Sequence, residues 1–209
     1  MEFLAVRVIQ VTKMQPLSCM NAHVCPYNGR ARRPADRPSA GLERPRTMTA
    51  AAPFANYTDV VRPEWIDYNG HMNVAYYVLA FDYATDAFFD HIGLGEDYKN
   101  KYNFSTFTLE GHITYDREVL EGDPLAFKTY LLDCDEKRIH YFHEMYHGTE
   151  GYLAATNELI TMHIDMNKRR SAPFAPEMME RLEAMMQAHR KLPRPEKVGR
   201  TIGIRRKTE

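Results

Sequence analysis

The sequence is poor in cysteine. Cys19, Cys25 and Cys134 are too few and too scattered for a disulfide framework, so a reducing, cytoplasmic setting is the simplest expectation. Neither sign of charge is in excess. The 27 basic and 28 acidic side chains leave a net charge of −1, so a basic surface for nucleic acid or anionic lipid is not a global property. No uncharged apolar run approaches the ~18–20 residues needed to cross a bilayer, which excludes a spanning helix. There is no internal repeat. A secretory leader is not expected either, because the first apolar stretch is short and broken by Arg7. What remains is a chain that is 44% hydrophobic and 26% charged, suited to one globular domain with extensions.

The charge is unevenly placed. Residues 1–50 carry eight basic and three acidic side chains, so that stretch is +5 and the rest is −6. Phe3 to Val11 allows a short strand at most. From Asn21 the chain is rich in Arg and Pro and has no apolar period, so it cannot offset its ordering entropy. Residues 1–52 therefore read as a disordered extension. Met48 offers an alternative start, which would make residues 1–47 an upstream mis-start. Residues 53–190 read as the folded domain, and residues 191–209 as a mobile basic tail.

Within the domain, Phe54 to Arg62 reads as a strand. His71 to His91 reads as one long helix, opened by the turn pair Asn69-Gly70 and closed before Gly93. Four strands follow: Phe104 to Asp116, Leu125 to Asp133, Arg138 to His147 and Tyr152 to Asp165. Turn-like breaks separate them, so they are antiparallel neighbours. A last helix runs from about Glu177 to His189, with Met178, Met179, Met185 and Met186 on a docking face. The long helix is apolar nearly all round except for Asp82, Asp86 and Asp90, one stripe at a spacing of four. A sheet curling around it would bury it, giving an α+β fold of one antiparallel sheet wrapped on one central helix. In the first of the four strands, alternation predicts Phe107, Leu109, Ile113 and Tyr115 on the helix face. Glu110 and His112 then fall on the other face, as a possible acid/base or positioning pair.

Chemistry concentrates in Trp65-Ile66-Asp67-Tyr68-Asn69-Gly70-His71-Met72-Asn73. The first amides of a helix lack intrahelical acceptors, and with the helix dipole they suit a developing oxyanion. The amides of Gly70, His71, Met72, Asn73 and Val74 are the candidates. Asp67 could act on a carbonyl held there or on a water beside it, and Asn69 and His71 could orient either. The plainer alternative is that Asp67 or Asn69 simply caps the helix.

Asp-x-x-Gly-His-Met-Asn, at Asp67, Gly70, His71, Met72 and Asn73, resembles the signature of hotdog-fold acyl-CoA thioesterases of the 4-hydroxybenzoyl-CoA thioesterase-like group. Tyr77, Tyr115, Glu118 and Gly122-Asp123 are similar as well, and the resemblance spans about Phe54 to Pro173. Among subgroups it is most similar to the betainyl-CoA thioesterases of carnitine breakdown, through Trp65 to Asn73, Glu110 to Tyr115 and Asp135 to His140. The resemblance implies a hotdog fold and acyl-CoA held at a subunit interface in a homodimer or homotetramer. It implies no cofactor and no nucleic-acid or membrane partner. Asp67 would be the catalytic carboxylate, as nucleophile or general base, with Glu110 a competing base. Val74 stands where many relatives have Asn, which leaves only its backbone N–H a role. An acyl carrier protein thioesterase and a non-catalytic acyl-CoA-binding protein are the alternatives. Trp65, Tyr68, Tyr76 and Tyr77 cluster near the loop and could hold a trimethylammonium group, with core or dimer packing an equal alternative for Tyr76 and Tyr77, and with His112 also lining the substrate site.

No metal site is expected. His140 points opposite to His143 and His147 on a strand, and the latter two lie roughly 13 Å apart at strand rise. Lys168, Arg169 and Arg170 read as a solvated turn, though within reach of CoA phosphates.

Overall fold

The computed structural model describes residues 53–204 and 206. The chain divides into Met1–Met48 and Thr49–Glu209, and every described residue belongs to the second unit. The expectations for residues 1–52, Cys19 and Cys25 included, lie outside the described residues.

The elements run β1 (Thr58–Val60), a one-turn 3-10 helix (Pro63–Trp65), α1 (Val74–Ile92), α2 (Glu96–Tyr102), β2 (Phe104–Tyr115), β3 (Pro124–Cys134), β4 (Arg138–His147), β5 (Leu153–Asp165), β6 (Arg170–Ser171) and α3 (Pro176–His189). The strands form one antiparallel sheet in the order β1-β3-β4-β5-β2, with β6 appended to β5. This is the predicted α+β architecture. The strand expected from Phe54 to Arg62 shrinks to β1 and one bridge from Phe54 to Thr129.

α1 buries Tyr77, Ala80, Phe81, Ala84, Thr85, Phe88, Phe89 and Ile92, a helical spacing that turns one wide face to the sheet. Its opposite stripe is exposed and runs Val74, Val78, Asp82, Asp86, Asp90. The helix begins at Val74 rather than His71. Met72 is held extended by a bridge to Ile66, and the Asn73 side chain caps the first turn by accepting the Ala75 N–H at 2.9 Å. It ends at Gly93, whose φ of 84° is the left-handed stop expected of glycine.

One polar side chain between helix and sheet is satisfied at both ring nitrogens. His143 is fully buried. Thr85 donates to the Phe81 carbonyl at 3.0 Å, so it accepts from His143 Nε2 at 2.9 Å, and Thr129 then donates to Nδ1 at 2.8 Å. The imidazole is therefore neutral, and burial lowers its pKa to about 3. α3 docks through Met178, Leu182, Met185, Met186 and His189, and His189 Nδ1 accepts the Leu131 N–H of β3 at 2.8 Å.

One predicted alternation is corrected. β2 carries a bulge between Thr108 and Glu110, so Leu109 has no partner on β5. One extra residue inverts the faces. Beyond the bulge, Ile113 and Tyr115 face the helix and Glu110 and His112 face outward, as expected. Before it, Phe107 pairs with Met162 on the outer face, while Phe104 and Thr106 turn inward beside Asp165 and His163.

The tail expected to be mobile lies along the outer face of the sheet. The Gly199 N–H donates to Glu158 Oε2 at 2.7 Å, and Lys197 pairs with Asp116.

Candidate active site

The loop that opens α1 is closed by its own backbone. The Asp67 N–H donates to the His71 carbonyl at 3.0 Å, and the Asn73 N–H to that of Trp65 at 2.8 Å. The Gly70 N–H donates to the Asp67 carbonyl at 3.0 Å, completing a tight turn that needs Gly70 at φ 84°. The Met72 N–H donates to the carbonyl of Val119, a fully buried residue, so the β2–β3 connection anchors the loop.

These bonds correct the predicted donor set. Gly70, Met72 and Asn73 spend their amides inside the chain and have none left for an oxyanion. The amides of His71 and Val74 have no acceptor among the described residues. The Asn73 side chain is consumed as the helix cap.

Asp67 Oδ1 accepts the Asn69 N–H at 2.8 Å, which fixes the carboxylate on the turn. Oδ2 has no partner among the described residues. Asn69 is exposed and contributes its backbone to this bond. His71 Nδ1 lies 3.2 Å from the Met72 carbonyl, so that nitrogen donates to it.

The expected aromatic group does not form one open cage. Trp65 is 2% exposed, with Tyr76 stacked on it at 5.7 Å and the Arg62 guanidinium 4.7 Å over its ring. Tyr77 is buried with its ring edge to face against Tyr115 at 5.3 Å, and burial pushes its hydroxyl up to about 12. Tyr68 is the opposite case, 97% exposed. Three of the four rings serve packing, and one projects into solvent.

Glu110 and His112 lie elsewhere, on the outer face of the sheet. With His140, Glu158 and Arg200 they line a cavity of about 510 Å³. His140 Nε2 is 2.8 Å from Glu158 Oε1, a contact between strands β4 and β5. Sequence reasoning missed Glu158, because only strand register joins residues eighteen positions apart. Among the described residues no three His, Cys, Asp or Glu side chains converge on a point that suits a metal ion. No helix of the described residues is long and apolar enough to cross a membrane.

Residues 61–182 match the family model described as the thioesterase-like superfamily. The chain belongs to that family. It is 45% identical over 151 residues to a betainyl-CoA thioesterase of Pseudomonas aeruginosa, an alignment covering 72% of this chain and 95% of that protein. It is 33% identical to an L-carnitine dehydrogenase/betainyl-CoA thioesterase of Rhizobium meliloti, covering 77% of this chain but 32% of that longer protein. A solved structure of a Staphylococcus aureus protein in complex with CoA superposes with a TM-score of 0.67 at 32% identity, covering 71% of this chain and 94% of that one. The curled sheet on one helix is thus the hotdog fold of thioesterases, and the thioesterase expectation from the loop holds at the level of the family.

Proposed function

We propose that this chain hydrolyses betainyl-CoA to betaine and CoA, with Asp67 as the catalytic carboxylate. The observation that carries the reading is the loop: a carboxylate fixed through Oδ1, free at Oδ2, on the turn that opens a buried helix. The 45% identity to the Pseudomonas aeruginosa protein over 95% of its length supports the choice of acyl group.

Thioester hydrolysis adds water to the carbonyl carbon and breaks the C–S bond. As general base, Asp67 takes a proton from water while the water oxygen bonds to carbon, and CoA leaves as the thiolate. As nucleophile, Asp67 bonds to the carbonyl carbon and expels CoA as the thiolate, and water then opens the mixed anhydride to the acid and free Asp67. In both routes negative charge grows on the carbonyl oxygen. The unspent amides of His71 and Val74, at the positive end of α1, suit that charge. Glu110 is the second candidate base, since it shares a cavity with His112.

A homodimer is part of the reading. β2 is a twelve-residue edge strand whose outer side has no partner among the described residues. It exposes Leu109 and Tyr115, at 41% and 49%, a surface that natural edges seldom leave open. A second copy pairing there would cover it.

The test is a panel of acyl-CoA thioesters read by release of the free thiol. Betainyl-CoA turning over fastest, with activity lost in Asp67→Asn and retained in Glu110→Gln, supports the proposal; the reverse pattern moves the base to Glu110. Turnover of no thioester by the native chain refutes hydrolysis and favours a binding protein.

A further inference from the structure

At the far end of α1, away from the loop, a second cavity of about 380 Å³ lies between α2, the start of β2 and the start of α3. Its walls are aromatic. Tyr98, Tyr102, Phe104, His163 and Phe174 line it. Phe104 stacks on His163 at 5.0 Å and 12°, and His163 meets Phe174 at 4.5 Å. The β2 bulge creates this wall, because it turns Phe104 to the inner face.

The rings are held in place and uncharged. His163 Nδ1 donates to the Ala172 carbonyl at 2.9 Å, so Nε2 accepts from the Tyr98 hydroxyl at 3.0 Å. Both ring nitrogens are used, and burial favours the neutral imidazole. Two charged side chains, Glu177 and Arg181, stand one turn apart on α3 at the same cavity. Neither has an ion-pair partner among the described residues. Gly93 makes room for the guanidinium, since a Cβ there would sit 2.6 Å from Arg181 Nη1.

We propose that this cavity seats a trimethylammonium group. Ring faces attract a quaternary cation that cannot donate hydrogen bonds, and Glu177 supplies the countercharge. Arg181 suits the carboxylate of a zwitterion such as glycine betaine. At the rim, Lys101 Nζ lies 4.8 Å over the Tyr102 ring, so one face of that ring already carries a cation. The proposal builds on betainyl-CoA as substrate but concerns a different part of the molecule. The group enters as the free zwitterion: the nitrogen of a betainyl thioester is one methylene from its carbonyl carbon, and with that carbon at Asp67 it cannot span the roughly 28 Å of α1 to this cavity.

Glycine betaine titrated into the full chain by calorimetry tests the site without any turnover. Tert-butylacetate, its uncharged-headgroup isostere, is the control. Glycine betaine is expected to bind at least tenfold more tightly than the control. Phe104→Leu and Glu177→Gln should each weaken it by about three- to thirtyfold. Glu177 is exposed, so its variant folds as the native chain does. Equal binding of the two ligands, no binding, or indifference to Glu177→Gln overturns the proposal. Steady-state kinetics separate this seat from the acyl site. In Glu177→Gln the KM for betainyl-CoA should stay unchanged while glycine betaine binding weakens; a KM raised for betainyl-CoA and not for tert-butylacetyl-CoA overturns the free-zwitterion seat. If the native chain hydrolyses nothing, the substrate reading fails, while the titration still decides the seat.

Discussion

Asp67 and Asn69 look interchangeable as turn formers, yet the turn uses them differently. Asn69 gives its N–H, and Asp67 takes it with one oxygen and keeps the other. Asp67→Asn preserves an acceptor for that N–H and removes the charge. It is expected to fold normally, to keep CoA binding, and to lose about 100- to 10,000-fold in kcat, measured by thiol release. Single turnover in heavy-oxygen water detects the nucleophile when water opens the anhydride at the Asp67 carbonyl: label then enters the Asp67 peptide, whereas label in the released acid alone fits water attack on the acyl carbon by either route. Gly70 is a purely conformational requirement. A Cβ there meets nothing within 4 Å, so Gly70→Ala should cost only the strain of a positive φ, about 1–2 kcal/mol in urea unfolding. Asp67 and Gly70 were both legible in the sequence as residue types. Which amides stayed free was not, because that depends on Val119 and Trp65 supplying acceptors from elsewhere.

The central helix was legible almost to its ends, because its apolar spacing and the Gly93 stop are local. Its start moved by three residues because Asn73 outcompetes the earlier turn as a cap, a choice that depends on Met72 being held to Ile66 and Val119. The Asp82, Asp86, Asp90 stripe was equally legible, and it is poorly placed. It approaches the negative end of the helix dipole. Loss of water around the carboxyl where neighbouring side chains crowd this otherwise open stripe, and then the charges of Asp82, Asp90 and Glu96, raise Asp86 to about 6. A carboxylate raised in the folded state favours folding below its unfolded value and loses that contribution as pH rises through about 6. Asp86→Asn should therefore stabilise the protein at neutral pH by a few tenths of a kcal/mol for each like-charged neighbour, seen as a higher Tm. The gain should shrink as the pH falls below 6. The β2 bulge is the element that periodicity could not reveal. Alternation is a rule of two, and one unpaired residue is seen only once the register with β5 exists.

For the whole molecule, the neutral His143 between helix and sheet ties stability to pH in the opposite direction. Its folded value of about 3 lies below the ordinary 6.5, so the unfolded chain binds the extra proton between them. Stability from this source is complete above about 6.5 and is lost as pH falls toward 3, by up to about 1.4 kcal/mol per unit. Urea midpoints at pH 7 and pH 5 check this in the Asp86→Asn background, where the opposing carboxylate is gone. The same comparison in His143→Gln should show a flatter slope. Association is the second whole-molecule expectation. The native chain should sediment as a dimer. Leu109→Lys, which puts a charge on the open edge, should shift it toward monomer and lower activity with it if the site needs both copies.

The elements, their order, the wrapping of a sheet on an apolar helix, and the loop whose residue types mark a thioesterase are all legible along the chain. These follow from local periodicity, turn chemistry and a short motif, all of which are written along the chain. Folding in three dimensions was needed to settle which loop amides remain unspent and that Trp65 and Tyr77 pack. It also decided that Phe104 turns inward and that Glu158 meets His140. Each of these depends on a hydrogen bond, ring contact or strand register between segments distant in the chain, and such pairings exist only after the chain has closed on itself.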